Sequence, residues 1–203
     1  MTQKERMLAG KLYSADDREL RDMKCKCDLL LDEFNSTANN DTVARKNILK
    51  KLFKSAGVNV QFNKPFYCDY GSNIQVGNNV YANFDCIFLD VNKIIIGDNV
   101  LFGPRVCIYT AGHPIDKDIR SIGLEFGKRV VIGNDVWIGG NTVINPGITI
   151  GNNVVIGSGT IVTKNIPSGV IFAGNPGKVI REITSEDKVR WNTEVEEYRS
   201  NSN

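Results

Sequence analysis

Residues 132–167 read IGNDVW-IGGNTV-INPGIT-IGNNVV-IGSGTI-VTKNIP. An aliphatic residue opens every block, at Ile132, Ile138, Ile144, Ile150, Ile156 and Val162. A small or β-branched residue usually stands four positions later, and Gly, Asn, Asp or Ser fill the space between. Those fillers tolerate the tight and often left-handed backbone of a corner. A hexapeptide period sustained over this length indicates a parallel β-helix. Each block is a short strand plus a corner, and three blocks close one triangular coil of about 18 residues. The opening aliphatic side chains point inward and stack coil on coil. Neighbouring coils share backbone hydrogen bonds, so no coil is stable alone.

The same pattern appears earlier as VGNNVY from Val76, ANFDCI from Ala82, IGDNVL from Ile96 and FGPRVC from Phe102. Two breaks in phase stand out. Phe88 and Ile96 are eight positions apart, and the extra pair, within LDVNK at 89–93, is expected to bulge outward. The second break is longer. Blocks stop near Ile108 and resume at Ile132, with YTAGHPIDKDIRSIGLEFGKRV between them. Long departures of this kind from a compact domain are usually functional. His113, the single histidine of the chain, sits near the start of this one.

The architecture expected is therefore mainly β: a helical cap over residues 1–60, a β-helix over 61–182 with an excursion at about 110–130, and a helical segment over 183–203. In the cap, Leu20, Met23, Leu29, Leu30, Leu31 and Phe34 form a broad apolar stripe, Ser14 and the acidic residues after it resemble an N-cap, and a second helix is expected over 41–54. A C-terminal helix is expected over 185–198. Both flanks hide the open ends of a solenoid.

Composition narrows the function. The net charge of +2 gives no bulk attraction to nucleic acid or to a membrane, so neither is an expected partner. No apolar run of transmembrane length and no apolar leader is present, which points to a cytoplasmic protein. Cys25, Cys27, Cys68, Cys86 and Cys107 are irregularly spaced, lack the pattern of a zinc site, and read as reduced packing thiols.

The runs LAGKLY, YGSNIQVGNNVYANFD, TAGHP, the six hexapeptides above and AGNPGKVIREI together resemble the maltose/galactoside O-acetyltransferases of the hexapeptide acyltransferase superfamily. The resemblance extends from Met7 to about Arg190. It implies left-handed winding, a homotrimer with sites between subunits, and acetyl-CoA in the groove between neighbouring prisms. It implies direct transfer of acetyl to a sugar hydroxyl, without an acyl-enzyme and with no metal required. His113 matches the catalytic histidine and Asn83 the asparagine that supports the reacting groups. Asp69, Tyr81, Asp90 and Glu125 match positions lining the acceptor pocket. Trp137, Gly140, Ser158, Thr163, Lys164, Lys178 and Arg181 match the coenzyme groove. Departures also appear. Some relatives carry a sugar-contacting Asp just after GKL(F/Y), whereas YSADD leaves Asp16 offset. Position 69 is Asp where galactoside enzymes can carry Ser, and position 125 is Glu where they can carry Met.

The residues fit the chemistry. An alcohol becomes a good nucleophile only as its proton leaves, and a positioned imidazole is the usual base. His113 is the imidazole available. The Gly139–Gly140 corner leaves backbone N–H groups open to a developing oxyanion, and the Gly140 N–H is the candidate donor. The Asn83 amide suits either the acceptor or the thioester. Tyr81 or Trp137 can pack against a flat ligand face. Lys164, Lys178 and Arg181 can clamp the coenzyme's phosphates. A γ-type carbonic anhydrase needs three histidines on zinc and is excluded by the single one. Two alternatives remain: an acetyl-CoA-dependent xenobiotic acetyltransferase of the same fold, and a non-catalytic trimeric binding scaffold.

Overall fold

The computed structural model describes residues 1–201, and its sheets follow the hexapeptide count. Three parallel sheets form the faces of a prism. The first face stacks Ser55–Ala56, Ile74–Val76, Ile94–Ile96, Val130–Ile132 and Thr149–Ile150. The second stacks Gln61–Phe62, Tyr81–Ala82, Leu101–Phe102, Val136–Ile138, Val154–Ile156 and Val170–Gly174, and Gly177–Glu182 closes it antiparallel. The third stacks Phe66–Cys68, Cys86–Leu89, Cys107–Tyr109, Val143–Ile144 and Ile161–Val162. The chain visits the faces in that order, one corner at a time.

The inward positions are those the period marks. Ile132, Ile138, Ile144, Ile150, Ile156 and Val162 are each at most 1 % exposed. The residues four later, Val136, Thr142, Ile148, Val154, Thr160 and Ile166, are buried too. Threonine is accepted there because its hydroxyl donates to a carbonyl three residues back, Thr142 to Gly139 at 2.7 Å and Thr160 to Gly157 at 2.6 Å. Toward the N-terminal end the interior becomes aromatic. Phe53, Phe62, Phe66 and Phe88 meet edge-on, with ring centroids 5.0 to 5.9 Å apart.

One corner carries a ladder of amides. Asn59, Asn79, Asn99 and Asp135 all have positive φ, which Asn and Asp adopt more readily than most side chains. Asn59 Nδ2 donates to Asn79 Oδ1, Asn79 Nδ2 to Asn99 Oδ1, and Asn99 Nδ2 to Asp135 Oδ1, at 2.9 to 3.0 Å. The glycine of the block at 96 is there for space. A Cβ on Gly97 would lie 2.7 Å from the Gly133 carbonyl oxygen.

The first phase break does not bulge into solvent. Asp90, Val91 and Asn92 are 0 to 5 % exposed. The N-terminal cap and the end of the excursion lie on top of them: Asn92 Nδ2 donates to the carbonyls of Met7 at 3.1 Å and Gly127 at 3.0 Å. The second break leaves the third face after Tyr109. It runs through Ala111–Gly112 and the short helix Lys117–Ser121, and returns along Leu124–Gly127. Leu124–Gly127 pairs antiparallel with Ala111–Gly112 on one side and with Tyr13–Ser14 on the other.

Among the cap helices, α1 (Gln3–Leu8) has a capping box from Thr2 and Glu5. The helix α2 (Arg18–Ser36) starts at Asp17, whose carboxylate accepts from the Glu19 and Leu20 N–H groups. Ser14 is therefore not the cap; it lies in a strand. Leu20, Cys27, Leu31 and Phe34 are the buried stripe of α2, at helical spacing, while Leu29 is 66 % exposed and falls off it. The helix α3 (Thr42–Leu52) is capped by Asp41, and the last described helix spans Ser185–Asn201. Cys27 and Cys68 pack in the core with their sulfurs 3.5 Å apart, Cys86 is buried, and Cys25 is exposed. No helix among the described residues is long and apolar enough to cross a membrane.

Candidate active site

His113 follows directly on the Ala111–Gly112 strand, so its backbone is held by the three-stranded patch rather than by the prism. Its side chain borders a cleft of about 350 Å³. Asp69 reaches this cleft from the corner after Phe66–Cys68, Glu125 from the returning strand, and Arg21 and Lys24 from α2. Tyr13 and Tyr70 complete the walls. A larger cavity of about 580 Å³ lies between α3 and the first coil and contains none of the predicted residues. The chemistry of the lining, not its volume, locates the site.

The two cations of the cleft are each paired with a carboxylate of the cap. Arg21 pairs with Asp16, which stands outside the lining with its side chain 82 % exposed. Lys24 pairs with Asp28, one helical turn away. Burial raises the Asp69 carboxyl to about 6, with Lys24 opposing the rise and Glu125 and Asp28 adding to it. Burial and the neighbouring Glu125 push the Tyr13 phenol far above its ordinary range. Its hydroxyl donates to Glu125 Oε2 at 2.9 Å.

Asp90 is placed differently from the expectation that it lines the acceptor pocket. It is fully buried, with no accessible surface. Its Oδ1 accepts from the Asp69 N–H at 3.0 Å and the Tyr70 N–H at 2.8 Å, and its Oδ2 accepts from the Asn73 N–H at 3.2 Å. Asn73 Nδ2 donates in turn to the Asp90 carbonyl at 2.7 Å. Asp90 therefore holds the turn on which Asp69 sits, and in this chain it has no route to a ligand. Burial lifts its carboxyl to about 7 against the opposing pull of the backbone N–H groups.

The remaining predicted residues fall in two groups, one at an edge of the prism and one on the second face with the corner that follows it. His113, Asp69 and Glu125 lie where the third face turns into the first, and Thr163 and Lys164 follow Ile161–Val162 at the same edge. Tyr81 and Trp137 point outward from the second face, where Tyr81 pairs with Leu101 and Leu101 with Trp137. The row continues through Val155 and Ile171 to Arg181. Lys178 stands on the same closing strand, and Asn83, Gly140 and Ser158 occupy the corner between the second and third faces. Asn83 and His113 are thus separated within one chain by the width of the third face, on the order of 15 Å for a strand and its corner. Arg181 forks onto Asp187 at 2.6 and 2.7 Å.

A family model described as the maltose acetyltransferase hexapeptide capping motif matches residues 6–57. Models for bacterial transferase hexapeptides and for the hexapeptide repeat of succinyl-transferase match residues 129–164 and 93–116. The galactoside O-acetyltransferase of Escherichia coli K12 is 43% identical over 93% of this chain and 93% of its own. The chain belongs to the maltose/galactoside O-acetyltransferase family. Among solved structures of acetyltransferases, a maltose O-acetyltransferase from Clostridium difficile 630 superposes with a TM-score of 0.90 at 52% identity, covering 91% of this chain and 98% of that one. A galactoside acetyltransferase in complex with coenzyme A also reaches 0.90, at 43% identity, covering 93% and 94%.

For a member of the maltose/galactoside O-acetyltransferase family, the cleft holds residues that the hexapeptide pattern does not expose. Tyr13, Arg21, Lys24 and Tyr70 lie in or beside the cap, where no six-residue period operates. A signal exists for two of them. Arg21 and Lys24 are three apart on a helix whose buried stripe begins at Leu20, so they share the edge of that stripe.

Proposed function

We propose that this protein is an acetyl-CoA-dependent sugar O-acetyltransferase whose sites form between copies of a homotrimer. The observation that carries this reading is the division of the site residues between one edge of the prism and the second face with its following corner. Acceptor and coenzyme residues are divided alike, so one relative placement of two copies completes both halves. Cyclic closure then repeats the junction around an axis. The likeness to a galactoside acetyltransferase holding coenzyme A supports the coenzyme half, and the galactoside and maltose enzymes among the relatives support a sugar as acceptor.

In this reading, Asp69 and Glu125 accept hydrogen bonds from hydroxyls of the sugar. The reacting hydroxyl lies against His113. Its oxygen attacks the thioester carbonyl carbon as its proton passes to the imidazole. The tetrahedral adduct places negative charge on oxygen, and the Gly140 N–H of a neighbouring copy is the donor placed for it. Collapse breaks the C–S bond, and the proton on the imidazolium goes to the departing thiolate. Asn83 of the neighbouring copy steadies either the acceptor or the thioester. Trp137, Ser158, Thr163, Lys164, Lys178 and Arg181 hold the coenzyme, and Arg181 reaches a phosphate by exchanging or sharing its fork with Asp187.

An acceptor panel with acetyl-CoA, read by release of free thiol, tests the activity. Thiol release well above the acceptor-free rate is expected with at least one of maltose, glucose and simple galactosides. Rates at background for every sugar, with turnover on a non-sugar alcohol, would reject the sugar assignment. Sedimentation tests the assembly, with a trimer expected. A fully active stable monomer would refute sites built between copies.

A further inference from the structure

We infer that Tyr13 is a positioning residue for the acceptor, holding the Glu125 carboxylate in one orientation on the wall of the His113 cleft. This rests on the proposed function and adds a residue to it.

Tyr13 borders the cleft yet is 1 % exposed. Its ring lies in a small core with Met7, Leu20, Tyr70 and Val91, and its hydroxyl end reaches Glu125 Oε2 at 2.9 Å. The contact is built into strand register. Tyr13 stands directly opposite Glu125 in an antiparallel pair, and Ser14 opposite Leu124. Residues so paired place their side chains on the same side of the ribbon. The two-residue strand is in turn gripped from α1. Arg6 Nε donates to the Leu12 carbonyl at 2.7 Å, and the Ser14 N–H donates to Gln3 Oε1 at 2.9 Å.

The consequence is chemical. Burial keeps the phenol protonated, so Tyr13 remains a donor throughout the working pH range. With Oε2 engaged, Glu125 presents Oε1 to the ligand without first losing rotamer freedom. A carboxylate already held in its bound orientation binds a hydroxyl more tightly than a mobile one. Position 125 thereby becomes a fixed acceptor of a sugar O–H, and the N-terminal cap becomes part of acceptor recognition.

Tyr13→Phe keeps the ring and removes the hydroxyl. The acceptor KM is expected to rise about tenfold, the scale of a hydrogen bond to a charged group, with kcat within twofold and the acetyl-CoA KM unchanged. Glu125→Gln and the double variant complete the cycle. Once Glu125 is replaced, adding Tyr13→Phe should change the acceptor KM less than about twofold. An acceptor KM for Tyr13→Phe within twofold of wild type, or an equal rise in both backgrounds, overturns the inference and leaves Tyr13 a packing residue. A wild type that acetylates no sugar overturns the proposed function along with it. An active wild type with an unchanged Tyr13→Phe overturns the inference alone.

Discussion

His113→Ala is expected to lower kcat by ~10²–10⁴-fold, the range a positioned general base supplies, while acetyl-CoA binds as before. His113 is the sole imidazole in the chain, and the excursion carries it to the rim of a cleft shared with Asp69 and Glu125. Asp69 is the rival base, because burial brings its carboxyl to about 6. The two are separated by substitution. If His113 is the base, His113→Ala loses kcat, and Asp69→Asn keeps kcat while raising the acceptor KM. Thiol release gives the rates, and calorimetric titration with acetyl-CoA gives the binding. A His113→Ala variant within tenfold of wild type, or an Asp69→Asn variant that loses kcat as far as His113→Ala is expected to, rejects the assignment.

Replacing Asp90 should produce the largest loss of stability of any residue near the site. Asp90→Ala leaves the N–H groups of Asp69, Tyr70 and Asn73 without their acceptor. At about 1–3 kcal/mol for each buried group, the cost is about 3 kcal/mol or more. For a chain of this size that corresponds to a fall in Tm of roughly 6–12 °C. Asp90→Asn is milder. Its oxygen can still accept from Asp69 and Tyr70, and its amide then opposes the Asn73 N–H, donor against donor. The pH dependence has a definite sign. The folded carboxyl titrates near 7, above its ordinary 3.8, so the folded state binds the proton more tightly than the unfolded chain. The stabilisation is complete below about 4 and is lost as pH rises through 7. Calorimetric scans of wild type between pH 4 and 8 should show this decline, and Asp90→Asn should remove that part of it. A Tm for Asp90→Ala within 2 °C of wild type would show that the turn is held by other contacts.

The prism is legible in the chain because its signal is periodic. One aliphatic residue in six, with a second inward position four later, is plain from Ile132 to Val162. The breaks in phase are equally plain, but not what covers them. An eight-residue interval between Phe88 and Ile96 reveals an insertion, and a solvent bulge is its simplest form. The cap turns it inward, and the partners of Asn92 lie 85 and 35 residues away. No local pattern encodes a contact at that distance. The start of α2 is ambiguous for a related reason: Ser14 and Asp17 are both good caps, and the Tyr13–Glu125 pairing draws Ser14 into a strand. At the site, residue types at matched positions identify His113, Asp69 and Glu125 as neighbours. Asp90 belongs to the same neighbourhood, but its burial depends on the turn at 69–73, which chain order does not reveal. Tyr13, Arg21 and Lys24 escape notice because the cap has no repeat to depart from, and Tyr70 because it lies in the turn between two strands.

The long reach of the cap also has a meaning during synthesis. Along the solenoid each coil docks on the one just made, so most of the prism can assemble as the chain leaves the ribosome. The cleft cannot. Its walls are drawn from residues near 13, 21, 69, 113 and 125, and the Tyr13–Glu125 bond joins positions 112 apart. Until the excursion has emerged, Tyr13–Ser14 has no strand to pair with, and Asn92 lacks the Gly127 carbonyl that its amide reaches. The pocket is therefore completed by the cap and the later-made excursion meeting across coils that are already built.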